Sequence, residues 1–370
     1  MPEERPMSRT SRCLAAVLAT TAVLAGGAVP TSAAADPHVS RHRRAVSATA
    51  TQSLMTDFRG PVGTPFSAVS AWKQDISQAP THTRSAAMVR NVADQAAKYY
   101  GGIAAFNAYR YSTSVYTVAA NTPRADVRWH NCQRKSYTPA GLTGPGGQFS
   151  QVPIPAEAVP AAGTDGELTI YSPATDQLWE FWQAKKVDGT WQACWGGRID
   201  RVSTDPGYFS GGFGASASGL AIVGGTIGIK EAQAGRIDHA LALALPAPGN
   251  WNEFSWPAQR SDGYDKSAAA VPEGTRLRLD PSIDVDKLKL TPIAKMIAKA
   301  AQKYGFIVTD KAGCVAVTAE SPTATIAATG VDPWKELMQG KPDYLIMKNF
   351  PWDKLQALPK DWGKPSSPKK

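Results

Sequence analysis

The Asp188-Gly189 pair, set between two long aromatic runs, constrains the fold more than any other feature of this chain. Asp-Gly readily supplies the two positive-φ positions of a type I′ turn, the strongest short-range hairpin signal. The flanking runs are Leu178-Trp179-Glu180-Phe181-Trp182-Gln183-Ala184-Lys185-Lys186-Val187 and Thr190-Trp191-Gln192-Ala193-Cys194-Trp195-Gly196-Gly197-Arg198-Ile199-Asp200. A two-residue turn pairs Val187 with Thr190 and, counting back, sets Trp182 opposite Trp195 and Glu180 opposite Gly197. Alternation of side chains then predicts one face carrying Leu178, Glu180, Trp182 and Ala184 beside Trp191, Ala193, Trp195 and Ile199. A carboxyl group is thereby expected among indoles, next to a glycine that leaves a hollow. Either a sugar-binding cleft or a core strand with one acidic residue has this composition.

The amino terminus reads as an export signal over residues 1–35. Arg5, Arg9 and Arg12 precede an apolar run from Leu14 to Val29, and Ser32-Ala33-Ala34-Ala35 gives an Ala-x-Ala cleavage pattern before Asp36. That run is short for a membrane span, and no later stretch of about 18 apolar residues follows, so no span is expected. A secreted or wall-associated location leaves Cys132, Cys194 and Cys314 in an oxidising compartment. Three cysteines allow one bridge and one leftover. Cys132–Cys194 is favoured, with Cys314 buried, although spacing alone leaves the pairing open. No Cys-x-x-Cys and no Cys/His cluster occurs, which argues against a structural zinc, and the reading includes no metal and no cofactor.

About 310 residues lie beyond the signal and its polar tail, enough for a substantial core. The chain holds 32 Gly and 28 Pro, and only two stretches have helical periodicity, so the expected architecture is mainly β: a β-sandwich of jelly-roll type with two accessory helices. The divisions are a flexible leader over 36–60, a single β-sandwich domain over 61–358 and a basic flexible tail over 359–370. Formal charge is +9, about +8 without the five charges of the signal, and much of it sits at the ends. Such ends suit an anionic cell wall or polysaccharide. Nothing resembles a recognition helix or an RNA-binding aromatic motif, so nucleic acid is not an expected partner, and a monomer is expected.

One helix is predicted from Arg84 to Tyr100, with Ala87, Met88, Val92, Ala96 and Tyr99 inward and Gly101 as its stop. The other is capped by Thr291, has Pro292 at its first position, buries Ile293, Met296, Ile297, Ala300, Ala301 and Tyr304, and ends at Gly305. Strands are predicted at 126–130, 167–171, 178–187, 190–200, 237–245, 254–257 and 276–279. A further hairpin, 306–310 with 314–320, is expected around Lys311-Ala312-Gly313, and residues 207–228 form a Gly/Ser-rich crossing segment.

For chemistry, Glu180 on an aromatic face is the candidate proton donor, because desolvation raises a carboxyl pKa. His239, at the start of a leucine-faced strand, and its neighbour Asp238 are candidate bases or partners, with Asp200 as a second carboxylate. Glycosidic cleavage uses two carboxyls about 5–10 Å apart; a lyase instead needs a Tyr or His base with a neutraliser such as Arg198 or Arg236. Asp205, Tyr208 and Asp262 are further candidates, each also readable as turn chemistry. Trp182, Trp195 and Trp191 are expected as stacking surfaces, with Arg198 and Tyr264 as additional contacts. Gly211, Gly212 and Gly214 make no phosphate-binding fingerprint, and Ser216 and Ser218 make no nucleophile elbow.

An ordered series of short stretches resembles a largely uncharacterised family of exported bacterial β-rich proteins. It runs from Ala71-Trp72-Lys73-Gln74-Asp75-Ile76-Ser77 through Leu168-Thr169-Ile170-Tyr171-Ser172-Pro173 and Gly235-Arg236-Ile237-Asp238-His239-Ala240-Leu241 to Trp256-Pro257-Ala258, Arg276-Leu277-Arg278-Leu279 and Tyr304-Gly305. The likeness covers roughly residues 66–320 and departs from the family pattern after Asp200. It implies export and one β-rich domain, and carries over no site residues. The expected function is that of a secreted carbohydrate-active protein, either cleaving an extracellular polysaccharide or binding a cell-wall glycan without catalysis.

Overall fold

The computed structural model describes residues 65–366. The expected signal and leader lie outside the described residues, as do the last four residues of the tail. The architecture corrects the jelly-roll expectation: the described residues form a mixed α/β fold with three separate sheets and six α-helices. Four strand pairs are parallel, which hairpin-linked jelly-roll strands do not produce. Many of the glycines and prolines that pointed to β-turns lie instead in long irregular connections.

Helix α1 (Ser85–Lys98) begins the regular structure, with Met88, Val89, Val92 and Ala96 buried and Gly101 past its end at φ 67°. Strands β1 (Ala105–Asn107), β2 (Thr113–Thr117), β3 (Arg128–Trp129), β4 (Glu167–Ser172), β5 (Gln177–Trp182), β6 (Lys185–Val187), β7 (Thr190–Ala193) and β8 (Trp195–Asp200) follow. Two short helices, α2 (Ile222–Gly225) and α3 (Ile229–Gln233), precede β9 (Leu241–Leu245) and β10 (Arg276–Leu279). Next come α4 (Pro292–Lys303), β11 (Phe306–Lys311), β12 (Ala316–Thr318), α5 (Thr323–Thr329), α6 (Pro333–Leu337) and β13 (Leu355–Ala357). The predicted strand at 254–257 is irregular chain.

The first sheet has the order β1-β12-β9-β11-β10-β13. Strand β9 lies between β11, to which it is parallel, and β12, to which it is antiparallel. The hairpin expected around Lys311–Gly313 therefore does not form; the two strands are separated by one that precedes both in sequence. The expected leucine face of β9 is present: Leu241, Leu243 and Leu245 pack with Ile293 and Ile297 of α4 and Met88 and Val92 of α1. Helix α4 matches its predicted cap, since the Thr291 hydroxyl accepts from the Ala294 amide at 3.1 Å.

The second sheet, β2-β4-β5-β8, presents Val115, Leu178 and Ile199 toward the first, where Ile307, Trp72 and Val223 meet them. Its other face packs Leu168, Ile170, Trp179 and Phe181 into a separate core. A small third sheet, β3-β7-β6, extends from the same hairpin. Part of the expected free tail is also docked. The Asp361 carboxylate accepts from the Trp256 amide at 2.6 Å, and Trp362 packs against the small core of Ile76 and Leu358.

Candidate functional site

The hairpin adopts the register its turn dictates. Asp188 and Gly189 have φ of 49° and 76°, Val187 pairs with Thr190, Trp182 with Trp195, and Glu180 with Gly197. One feature breaks the predicted alternation. Gln183 is left-handed at φ 54°, and the amides of Gln183 and Ala184 leave the ladder for the carbonyls of Asp165 and Gly166. This kink divides the hairpin between two sheets. Ala184, Trp191 and Ala193 consequently pack with Trp179 and Phe181, not with Leu178 and Glu180.

Glu180 does not face an open hollow. Its side chain is only 1% exposed, and its two carboxylate oxygens accept the amides of Ile222 and Val223, each at 2.9 Å. These are amino-terminal amides of α2, whose own N-cap, Ala221, has no side-chain oxygen to offer. The carboxylate thus completes a helix end in the interior. The space beside Gly197 is also filled: a Cβ there would stand 2.7 Å from the Phe209 ring and 2.8 Å from the Gly214 nitrogen.

The other expected acid–base groups are dispersed. His239 is fully buried, with Nδ1 at 2.7 Å from the Ala240 carbonyl and Nε2 at 3.1 Å from Glu231, a carboxylate that also accepts the Gly228 amide. Asp238 is half-buried and paired with Arg236 at 2.7 Å. Asp200 is opposite Gln177 on the face of the sheet away from Glu180, so strand alternation keeps the two carboxylates apart. Arg198, on that same face, pairs with Asp200 at 3.1 Å and donates to the Gly147 carbonyl at 3.3 Å. Asp205 caps a local turn by accepting from Gly207.

What the hairpin does border is a cleft of about 510 Å³ between Trp182, Trp195, the crossing segment and the loop after Cys132. Trp195 is half-buried; its ring stacks on Phe213 with centroids 6.1 Å apart, and the Lys135 ammonium lies 5.4 Å from its centroid. Lys135 is also 5.7 Å from the centroid of the exposed Tyr137. Trp182 contributes an edge to the wall while its Nε1 donates to Asp165 at 3.1 Å. Trp191 is buried away from the cleft, and the exposed Tyr264 lies outside it. The Cys132–Cys194 disulfide forms as expected and ties the Lys135–Tyr137 wall to the hairpin. Cys314 is buried as expected, but it is not the leftover thiol that three cysteines implied: none of the described cysteines is free.

The opposite wall is built by residues that gave little signal in the sequence. Arg260 donates Nε to Ala217 O at 2.9 Å, its first terminal nitrogen to Gly212 O and to Phe213 O, and its second to Gly214 O at 3.1 Å and Ser216 O at 2.7 Å. All five guanidinium N–H groups are engaged by carbonyls of the crossing segment. Burial pulls this guanidinium below its usual pKa, while Asp310, Glu273 and Asp262 oppose the shift. Asp262 lines the cleft, and its carboxylate lies with those of Glu273 and Asp310 such that one oxygen of each falls within 4.8 Å of the others. Glu273 is 0% exposed, and no donor is in hydrogen-bonding geometry with either of its oxygens. Its pKa is pushed well above the usual range, first by burial and then by the charges of Asp262 and Asp310. Neither Pro272-Glu273-Gly274 nor the end of a strand at Asp310 marks such a cluster in the sequence.

No family model matches the chain, and no curated protein or solved structure is found to be similar to it.

Proposed function

We propose that this protein is exported and binds a glycan of the extracellular space or cell wall through the cleft between Trp195 and Arg260, without cleaving it. The observation that carries this reading is the half-buried Trp195, stacked on Phe213 and bordering an open cleft beside Lys135 and Tyr137. An indole with polar neighbours suits a sugar, whose C–H face packs on the ring while its hydroxyls find donors and acceptors at the rim. The disulfide supports an oxidising location. Among the described residues no helix is long and apolar enough to cross a membrane.

Binding is favoured over cleavage because Glu180, His239, Asp238 and Asp200 do not converge on the cleft. The test is affinity electrophoresis and calorimetry of the exported form against wall glycans and neutral and acidic polysaccharides, with product analysis by mass. At least one glycan should bind without yielding products, and Trp195→Ala should weaken that binding tenfold or more, about 1.4 kcal/mol. Binding indifferent to Trp195→Ala, or no binding across the panel, would refute the reading; released oligosaccharides would return it to catalysis.

A further inference from the structure

The carboxylates of Asp262, Glu273 and Asp310 reach one point from three separate parts of the chain: the connection after Arg260, the turn before β10 and the end of β11. Exposed acidic clusters are common and carry no implication. This one differs because Glu273 is sealed from solvent and no donor is in hydrogen-bonding geometry with either of its oxygens. A buried, ionised carboxylate needs an opposite charge or several donors to persist.

Nearby cations answer only part of that need. Arg260 has its five N–H groups on the carbonyls of 212–214, 216 and 217, leaving none to donate to the carboxylates. Lys311 Nζ donates to the Asp262 carbonyl at 3.2 Å and is 3.7 Å from its carboxylate.

We propose that Asp262, Glu273 and Asp310 bind a divalent cation, with Ca²⁺ the best match. Three carboxylate oxygens and no nitrogen or sulfur make a donor set for a hard ion. Ligand oxygens at about 2.3–2.6 Å from Ca²⁺ lie no more than roughly 5 Å apart across the ion, a span these three satisfy. Asp262 also borders the cleft, so the ion would brace the wall opposite Trp195. The rival arrangement is a proton shared between Glu273 and Asp262.

The two are separated by stripping the full chain with a chelator and titrating it with Ca²⁺, Mg²⁺, Mn²⁺ or Tb³⁺. Ca²⁺ at a hundredfold excess over its Kd should raise the Tm by about 5 °C, and Tb³⁺ bound at the site should be displaced by Ca²⁺. Asp310→Asn and Glu273→Gln should fold, by near-ultraviolet circular dichroism, and lose at least nine-tenths of the response. Trp195→Ala should retain it, which keeps this test independent of the glycan reading. No response to any of the four ions in the wild type overturns the proposal in favour of the shared proton. Undiminished binding by a folded Glu273→Gln overturns it as well.

Discussion

Of the glutamates buried within this molecule, Glu180 and Glu273 have surroundings that differ in kind. Glu180 meets the amino-terminal amides of α2, so two orphan donors and one anion satisfy each other. Glu273 meets Asp262 and Asp310, and no donor is in hydrogen-bonding geometry with either of its oxygens. The first arrangement completes a core; the second sets a buried acid beside two further carboxylates, a position that a proton or a cation would relieve. Burial of an acid is therefore a poor guide to its role until its partners are known.

The largest expected effect comes from the satisfied member. Glu180→Gln replaces an acceptor oxygen with an amide donor facing a backbone N–H, and should destabilise the fold by about 4 kcal/mol, measured by urea unfolding. A loss below about 1 kcal/mol would show that α2 does not depend on this carboxylate. Next, Gly197→Ala places a methyl group against Phe209 and Gly214 and should cost about 2 kcal/mol. Were it neutral, there would be room beside Glu180 after all.

Glu273→Gln should act in the opposite sense, stabilising the metal-stripped protein by about 1 kcal/mol at pH 7 because the amide is neutral without having to take up a proton on folding. The smallest effect is its pH dependence. Glu273 has a folded pKa above the unfolded value near 4.5, so the native state holds a proton that the unfolded chain has released. Its contribution to stability is thus fully present below about pH 4.5 and is lost as the pH rises through the folded pKa. Subtracting the stability–pH curve of Glu273→Gln from that of the wild type should expose this downward slope in chelator, and identical curves would show that the carboxyl is not strained.

The difference between these glutamates also marks where the sequence was legible. Asp188-Gly189 specifies its own turn, and a fixed turn propagates a register as far as Glu180 and Gly197. Thr291, Pro292 and Gly305 likewise define α4 through contacts within one turn of chain. Where pairing partners are distant, local residues say nothing: nothing between Phe306 and Glu320 announces that β9 lies between β11 and β12. Helices such as α2, four residues long, are too short for a 3.6-residue period to emerge, so the partner of Glu180 was hidden. The left-handed Gln183 carries no glycine to advertise it, and it redirects Trp191 from the expected face. The acidic cluster draws on positions 262, 273 and 310, whose meeting is wholly tertiary.

Arg260 has a consequence for how this protein can change. The course of 212–217 follows a template supplied by one distant guanidinium, which donates to the carbonyl oxygens of five of its six residues, Ala215 being the exception. Adding or deleting a single residue there would put the oxygens out of step with that fork, and lysine lacks the prongs to replace it. A glycine-rich stretch on the rim of a cleft would ordinarily tolerate insertions freely; this one is held to a fixed length.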